Sequence, residues 1–186
     1  MTNVKKKSGN HERSVAKLFE DWSGYEFART PQSGGLHWRK AHTSGDIVCI
    51  DNQHGLKFPF SIECKFYEEL LLLPLIQGLI GKKSNKILEF WVQSDRDARN
   101  VNKIPLVFMR KNGMKKGLNF VMMGQDFFNK WLSLIGVWDT EYGFLGYTDS
   151  NYQLVIINSD ELMKTEYQLF FKAGRKLLRN VANSSI

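Results

Sequence analysis

Helices and strands mix along the whole chain, which predicts an α/β or α+β fold. Three observations carry this. Val15, Leu18, Phe19 and Trp22 recur at i, i+3, i+4 and i+7, one face of a helix. Phe58–Lys65 alternates, with Phe60, Ile62 and Cys64 on one face and Ser61, Glu63 and Lys65 on the other. Ile104–Met109 is a continuous apolar run, as in a strand buried on both faces.

In chain order, residues 1–9 read as a basic flexible arm. The first helix follows, with Asn10 as N-cap and Gly24 as its stop. Residues 25–30 predict a short strand. Pro31–Gly45, rich in Ser, Gly and His, is a long loop of the kind that carries function. Asp46–Ile50 is a strand, Asp51–Lys57 a turn and Phe58–Lys65 the next strand. Residues 68–80 are partly helical and broken by Pro74; residues 86–99 are helical. After the strand at 104–109, Leu118–Met123 is its candidate neighbour, Gln125–Ile135 a short helix and Tyr152–Ile157 a strand. Ser159–Arg179 reads as one helix, N-capped by Ser159, with acids in its first turn and cations at its end. The division is an arm (1–9), a core (10–123) and a C-terminal extension packed on it (124–186).

With 186 residues the chain buries a core without disulfides or metal staples, and 42% hydrophobic with 24% charged residues excludes disorder. The net charge of +7 suits a polyanionic partner, nucleic acid being the commonest. Cys49 and Cys64 form neither a disulfide scaffold nor a zinc-finger pattern and read as buried small apolar residues. His11, His37, His42 and His54 lack zinc-ligand spacing. The N-terminus runs Lys5–Lys7 with no apolar stretch after it, so a secretory signal is not expected and the cytoplasm is, or the host's if the gene is viral. Leu70–Ile80 is too short to span a bilayer; it reads as ordinary core or as a dimer interface.

The chemistry concentrates at Glu63 and Lys65. A carboxylate on the outer face of that strand can ligate a divalent cation, and the lysine beside it can position a water or steady a phosphate oxygen. If strands 46–50 and 58–65 form an antiparallel hairpin around a loop at Gln53–Leu56, Asp46 opposes Glu63, with β-carbons about 4.5–5.5 Å apart. Two carboxylates that close repel unless a cation lies between them. A slip of one residue would turn Asp46 to the other face. Glu12, in the first turn of the first helix and away from its apolar stripe, is a third candidate, or a glutamate that complements the helix dipole.

Glu12-Arg13, Arg29, Ser33-Gly34-Gly35, Gly45-Asp46-Ile47 and Ile62-Glu63-Cys64-Lys65 occur in this order. The set resembles the PD-(D/E)XK nuclease superfamily, most of all its archaeal-type Holliday-junction resolvases, over roughly residues 8–112. The resemblance implies a restriction-endonuclease-like core, a mixed sheet flanked by helices, and a homodimeric Mg²⁺-dependent DNA endonuclease in which Mn²⁺ can substitute. It implies Asp46 and Glu63 as metal ligands, Glu12 as an additional one, Lys65 acting on the attacking water, Ser33 near the scissile phosphate, and Arg13 and Arg29 on the DNA backbone. Gln93 matches a helical polar residue that some members place near the site. The long loop before Asp46 and the chain beyond the resolvase core depart from the pattern.

Trp38, Arg39 and Lys40 mix an aromatic ring with cations in the long loop, as in loops that stack on unpaired bases; a tryptophan packed on its own domain is the other reading. Lys82, Lys83 and Lys86 form one basic stretch, and Lys111, Lys115 and Lys116 another, after a buried strand and the turn Asn112-Gly113. Three functions remain open: a structure-selective endonuclease of recombination or repair, a restriction-like or DNA-degrading nuclease, and a non-catalytic DNA-binding module on a nuclease fold.

Overall fold

The structure, a computed structural model, describes residues 3–30, 44–67, 86–139, 143–148 and 151–184. Helix α1 (Asn3–Ser23) leads into β1 (Phe27–Arg29), β2 (Ile47–Cys49), α2 (Asn52–Lys57) and β3 (Phe60–Tyr67). Then come α3 (Lys86–Arg99), β4 (Ile104–Lys111), β5 (Phe120–Gly124), α4 (Gln125–Ile135), β6 (Phe144–Thr148), β7 (Gln153–Asn158), α5 (Ser159–Met163) and α6 (Tyr167–Ser184).

The strands make one seven-stranded sheet in the order β1-β2-β3-β4-β5-β7-β6. Only β3 and β4 pair in parallel; α3 lies in the connection between them, as a crossover requires. The other neighbours are antiparallel. This is the mixed sheet flanked by helices that the resemblance implies, within the mixed helix-and-strand class that the sequence pattern predicts. Alternation splits the apolar residues between its two faces. Phe60, Ile62, Leu106, Phe108, Val121 and Ile157 pack with α1, α4 and α6 in the larger core cluster. Val107, Met109, Met122 and Ile156 pack with Ile87, Phe90 and Trp91 of α3 in the smaller one. Residues 104–109 are all buried, as a strand covered on both faces must be.

Four expectations need correction. The helix begins at Asn3, so most of the expected arm over residues 1–9 is helical and Asn10 is an interior position. Lys5–Lys7 are good helix formers, and the Ser8 hydroxyl bonds to Glu12 one turn on. Gly24 does stop the helix, at φ 75° with its N–H on the Glu20 carbonyl. Second, the turn after β2 is a short helix: Asp51 accepts from the N–H groups of Gln53 and His54. Third, the helix expected over 159–179 is two. Asn158, not Ser159, is the N-cap, and Ser159 is buried with its hydroxyl on the Asn119 N–H. The Thr165 carbonyl accepts from Trp22 Nε1 at 2.7 Å instead of from a following turn. Fourth, the sequence pattern assigns no element between Ile135 and Tyr152, yet β6 forms there; its signal is weak because Gly146 interrupts it and most of its residues are exposed.

Residues from 124 onward are continuous with the rest: β7 pairs with β5, and Tyr167, Phe170 and Ala173 of α6 enter the larger cluster. Cys49 and Cys64 are buried free thiols. Leu70–Ile80, with its helical and dimer readings, and Lys82 and Lys83 lie outside the described residues. Among those described, no helix is long and apolar enough to cross a membrane.

Candidate active site

Asp46 is held from three sides. Its N–H donates to the Ile62 carbonyl at 2.7 Å, its carbonyl accepts from the Thr30 N–H at 2.7 Å, and Oδ2 accepts from the Cys64 N–H at 2.8 Å. The preceding residue makes this approach feasible. Gly45 has φ 90°, and a β-carbon there would lie 2.4 Å from the Ile62 carbonyl oxygen. The pairing of Ile47 with Ile62 is the register the hairpin argument needs, although α2 replaces the simple loop. Asp46 therefore stands beside Glu63.

Glu63 and Lys65 project from β3 toward the α3 side. Lys65 Nζ donates to Glu63 Oε1 at 2.7 Å and to Gln93 Oε1 at 3.2 Å, and lies 5.5 Å from the centre of the Phe90 ring. Phe90 and Gln93 are three residues apart, hence neighbours on one face of α3. The two charged side chains are only 16% and 15% exposed, so their pairing is sheltered from water. Sequence reasoning missed Phe90; its spacing from Gln93 was the available signal.

Burial is the largest influence on the Asp46 carboxyl and pushes it up to about 7. The negative charges of Glu63 and Glu12 push the same way, against the Cys64 N–H bond and Lys65. Such crowding suits a cation. Asp46 and Glu63 offer hard oxygen donors, and magnesium is commonly held by one or two carboxylates with water and phosphate completing its shell. The donor set fits that ion. Among the described residues, no three His, Cys, Asp or Glu side chains gather as a complete ligand set.

Glu12 is buried nearby, with Oε1 accepting from Ser8 and Oε2 from Arg29 Nε. Arg29, expected on the DNA backbone, is thus engaged with Glu12. The exposed Arg13 donates to the Gly9 carbonyl. Ser33, Trp38, Arg39 and Lys40 lie outside the described residues. Ser44 and Ser61, not anticipated, share a hydrogen bond beside Gly45.

A family model described as "Phage putative PDDEXK endonuclease" matches residues 3–172, nearly the whole chain. No curated protein and no solved structure matches.

Proposed function

The chain belongs to the phage PDDEXK endonuclease family, and on that premise we propose that it hydrolyses DNA phosphodiesters with Mg²⁺ as cofactor, preferring branched DNA. The observation that carries the reading is the convergence of Asp46, just before β2, with Glu63 and Lys65 of β3, with Lys65 held between Glu63 and Gln93.

Asp46 and Glu63 would hold the metal, with Mn²⁺ able to replace it; Glu12, its charge directed at Arg29, acts as a further ligand only if that pair opens. A magnesium ion bound there supplies Lewis-acid stabilisation of the charge that develops on the phosphate. Lys65 carries its positive charge to the attacking water and to a phosphate oxygen, and its two fixed partners spare it reorganisation during the reaction. Gln93 is a positioning residue that acts through Lys65. Water adds to phosphorus and gives its proton to solvent, the bond from phosphorus to the departing oxygen breaks, and that oxygen takes up a proton from solvent. Arg13 steadies the DNA backbone next to the site.

The preference for branched DNA, and a homodimer, rest on the ordered motifs shared with junction resolvases. The test is cleavage of a labelled four-way junction and of matching linear duplex, in Mg²⁺ or EDTA, by wild type and Glu63→Gln. Symmetric nicks near the junction, lost in EDTA and in the variant, support the whole reading. Equal cutting of both substrates keeps the site and makes the enzyme a general or restriction-like nuclease. Junction binding without cutting in Mg²⁺ or Mn²⁺ replaces catalysis with a binding role.

A further inference from the structure

The basic turn between β4 and β5 takes no part in the site described above, yet it is firmly built. Arg110 donates to three backbone carbonyls of that turn, those of Met114 at 2.7 Å, Lys115 at 2.7 Å and Leu118 at 2.6 Å. Gly113 and Gly117, at φ 80° and 87°, make the reversals that bring these carbonyls round one guanidinium. Lys115 and Lys116 are exposed on a backbone that is fixed before any partner arrives.

The turn faces α1 across an open cleft of about 960 Å³. Its lining carries Arg13, Lys17, Lys115 and Lys116 against two carboxylates, Asp21 and Asp160. Lys17 is committed to Asp21 at 2.9 Å and lies 3.6 Å from Glu20. Among the described residues, no carboxylate pairs with Arg13, Lys115 or Lys116. With Lys17 and Asp21 paired, three cations face the single carboxylate of Asp160, and this net positive, open cleft suits an extended polyanion better than a small enclosed ligand.

On the α1 side, Arg13 lies close to Arg29, the partner of Glu12. Gly9 lies between Arg13 and Arg29: a β-carbon there would be 3.8 Å from Arg13 Nη1 and 3.4 Å from Arg29 Nη1. Arg29 holds Glu12, whose charge acts on Asp46. At the other end Lys7 Nζ donates to Asn112 Oδ1 at 3.4 Å, tying α1 to the turn.

We infer that the cleft between α1 and the β4–β5 turn is a track for the sugar-phosphate backbone of a DNA duplex arm leading away from the cleaved phosphate, with Arg13, Lys115 and Lys116 as phosphate contacts. The position of the cleaved phosphate rests on the nuclease reading; the three cations do not.

The test compares Lys115→Ala/Lys116→Ala with Lys172→Ala/Lys176→Ala, an equal loss of charge on exposed positions of α6. Binding of a fluorescent four-way junction is measured over a salt series in a Glu63→Gln background, and cutting of the same junction in an otherwise wild-type background. Loss of two phosphate contacts lowers the slope of log K against log salt by about 1.8. The turn variant should show this fall and a raised KM with kcat kept, while the α6 variant keeps the parent slope. Wild-type cutting with parental slope and KM in the turn variant overturns the track and leaves the nuclease reading standing. A fall in slope confined to the turn variant, in a protein that binds but never cuts, keeps the track and overturns the nuclease reading. Equal falls in both double variants overturn the track, and a wild type that neither binds nor cuts overturns both.

Discussion

Asp46 Oδ2 accepts the backbone N–H of Cys64 at 2.8 Å, and this bond sets the Asp46 carboxylate beside Glu63, the residue before Cys64. The aspartate is thus placed by the same strand that supplies its partner carboxylate and the lysine.

Asp46→Asn keeps an oxygen that can accept the Cys64 N–H, so the fold should persist while the charge is lost. Cleavage should fall by at least about 10²–10³-fold, with the same result for Glu63→Gln. DNA binding, measured separately by anisotropy, should be equal or tighter because a negative charge has gone. Normal cutting by both variants would remove these residues from the site.

Lys65 and Gln93 should separate by size of effect. Lys65→Ala removes the cation and should lower kcat by about 10²-fold or more with little change in KM. Gln93→Ala removes one of its two holders and should cost only about tenfold in kcat. Gln93→Glu keeps an acceptor for Lys65, so it should restore much of that loss and shift the pH–rate profile. A Gln93→Ala enzyme with unchanged kcat and pH profile would show that the 3.2 Å bond plays no part in turnover.

Gly45→Ala should lose activity through geometry alone. Its φ of 90° is one that side chains rarely adopt, and a β-carbon there would lie 2.4 Å from the Ile62 carbonyl oxygen. The backbone must shift where Asp46 is held, at a cost of about 1–3 kcal/mol in stability. Urea denaturation alongside the cleavage assay checks both parts.

Arg29→Ala should leave the buried Glu12 carboxylate without its cation and destabilise the fold. The expected loss is about 3 kcal/mol, the low end for breaking a buried pair, because the guanidinium is 32% exposed. Glu12→Gln added to Arg29→Ala should recover much of the loss in the same denaturation experiment. No recovery would show that the cost lies in the packing of the arginine stem.

His54 should make stability depend on pH. Its ring stacks on Tyr25, nearly parallel with centroids 3.7 Å apart, and lies 4.4 Å from the Phe171 ring, with Nε2 2.5 Å from the Tyr167 hydroxyl. Burial pushes the imidazole below its usual 6.5, and burial pushes the Tyr167 hydroxyl up, so the tyrosine stays a donor to a neutral ring. The unfolded chain then binds more protons than the folded one just below pH 6.5. The stabilisation is complete above 6.5 and is lost as pH falls from there through the lowered folded value. His11 is lowered in the same way, so the diagnostic is the difference between wild type and His54→Phe. Denaturation midpoints between about pH 5 and pH 7.5 should show a shallower dependence in the variant.

Much of the site was legible because a strand has a period of two. Glu63 and Lys65 share a face by that rule, and Asp46 joins them by register arithmetic that Ile47 opposite Ile62 satisfies. Helices α3 and α4 were equally plain, since their apolar residues repeat at helical spacing and pack on the sheet. The short α2 was not, because its helix is set by the Asp51 cap and not by periodicity.

By itself the sequence determined the local periods: which residues are helical or extended, which share a face, and that the chain is basic. The tertiary structure decided what depends on residues far apart in the chain. It closed Gly45 against Ile62, turned Glu12 toward Arg29 and split the last helix where Trp22 takes the Thr165 carbonyl. It also set the Lys115–Lys116 turn across a cleft from Arg13. The physical reason is range. Propensity and periodicity act over a few residues, whereas a close backbone approach, a buried ion pair and a shared cleft exist only once the sheet brings distant segments together.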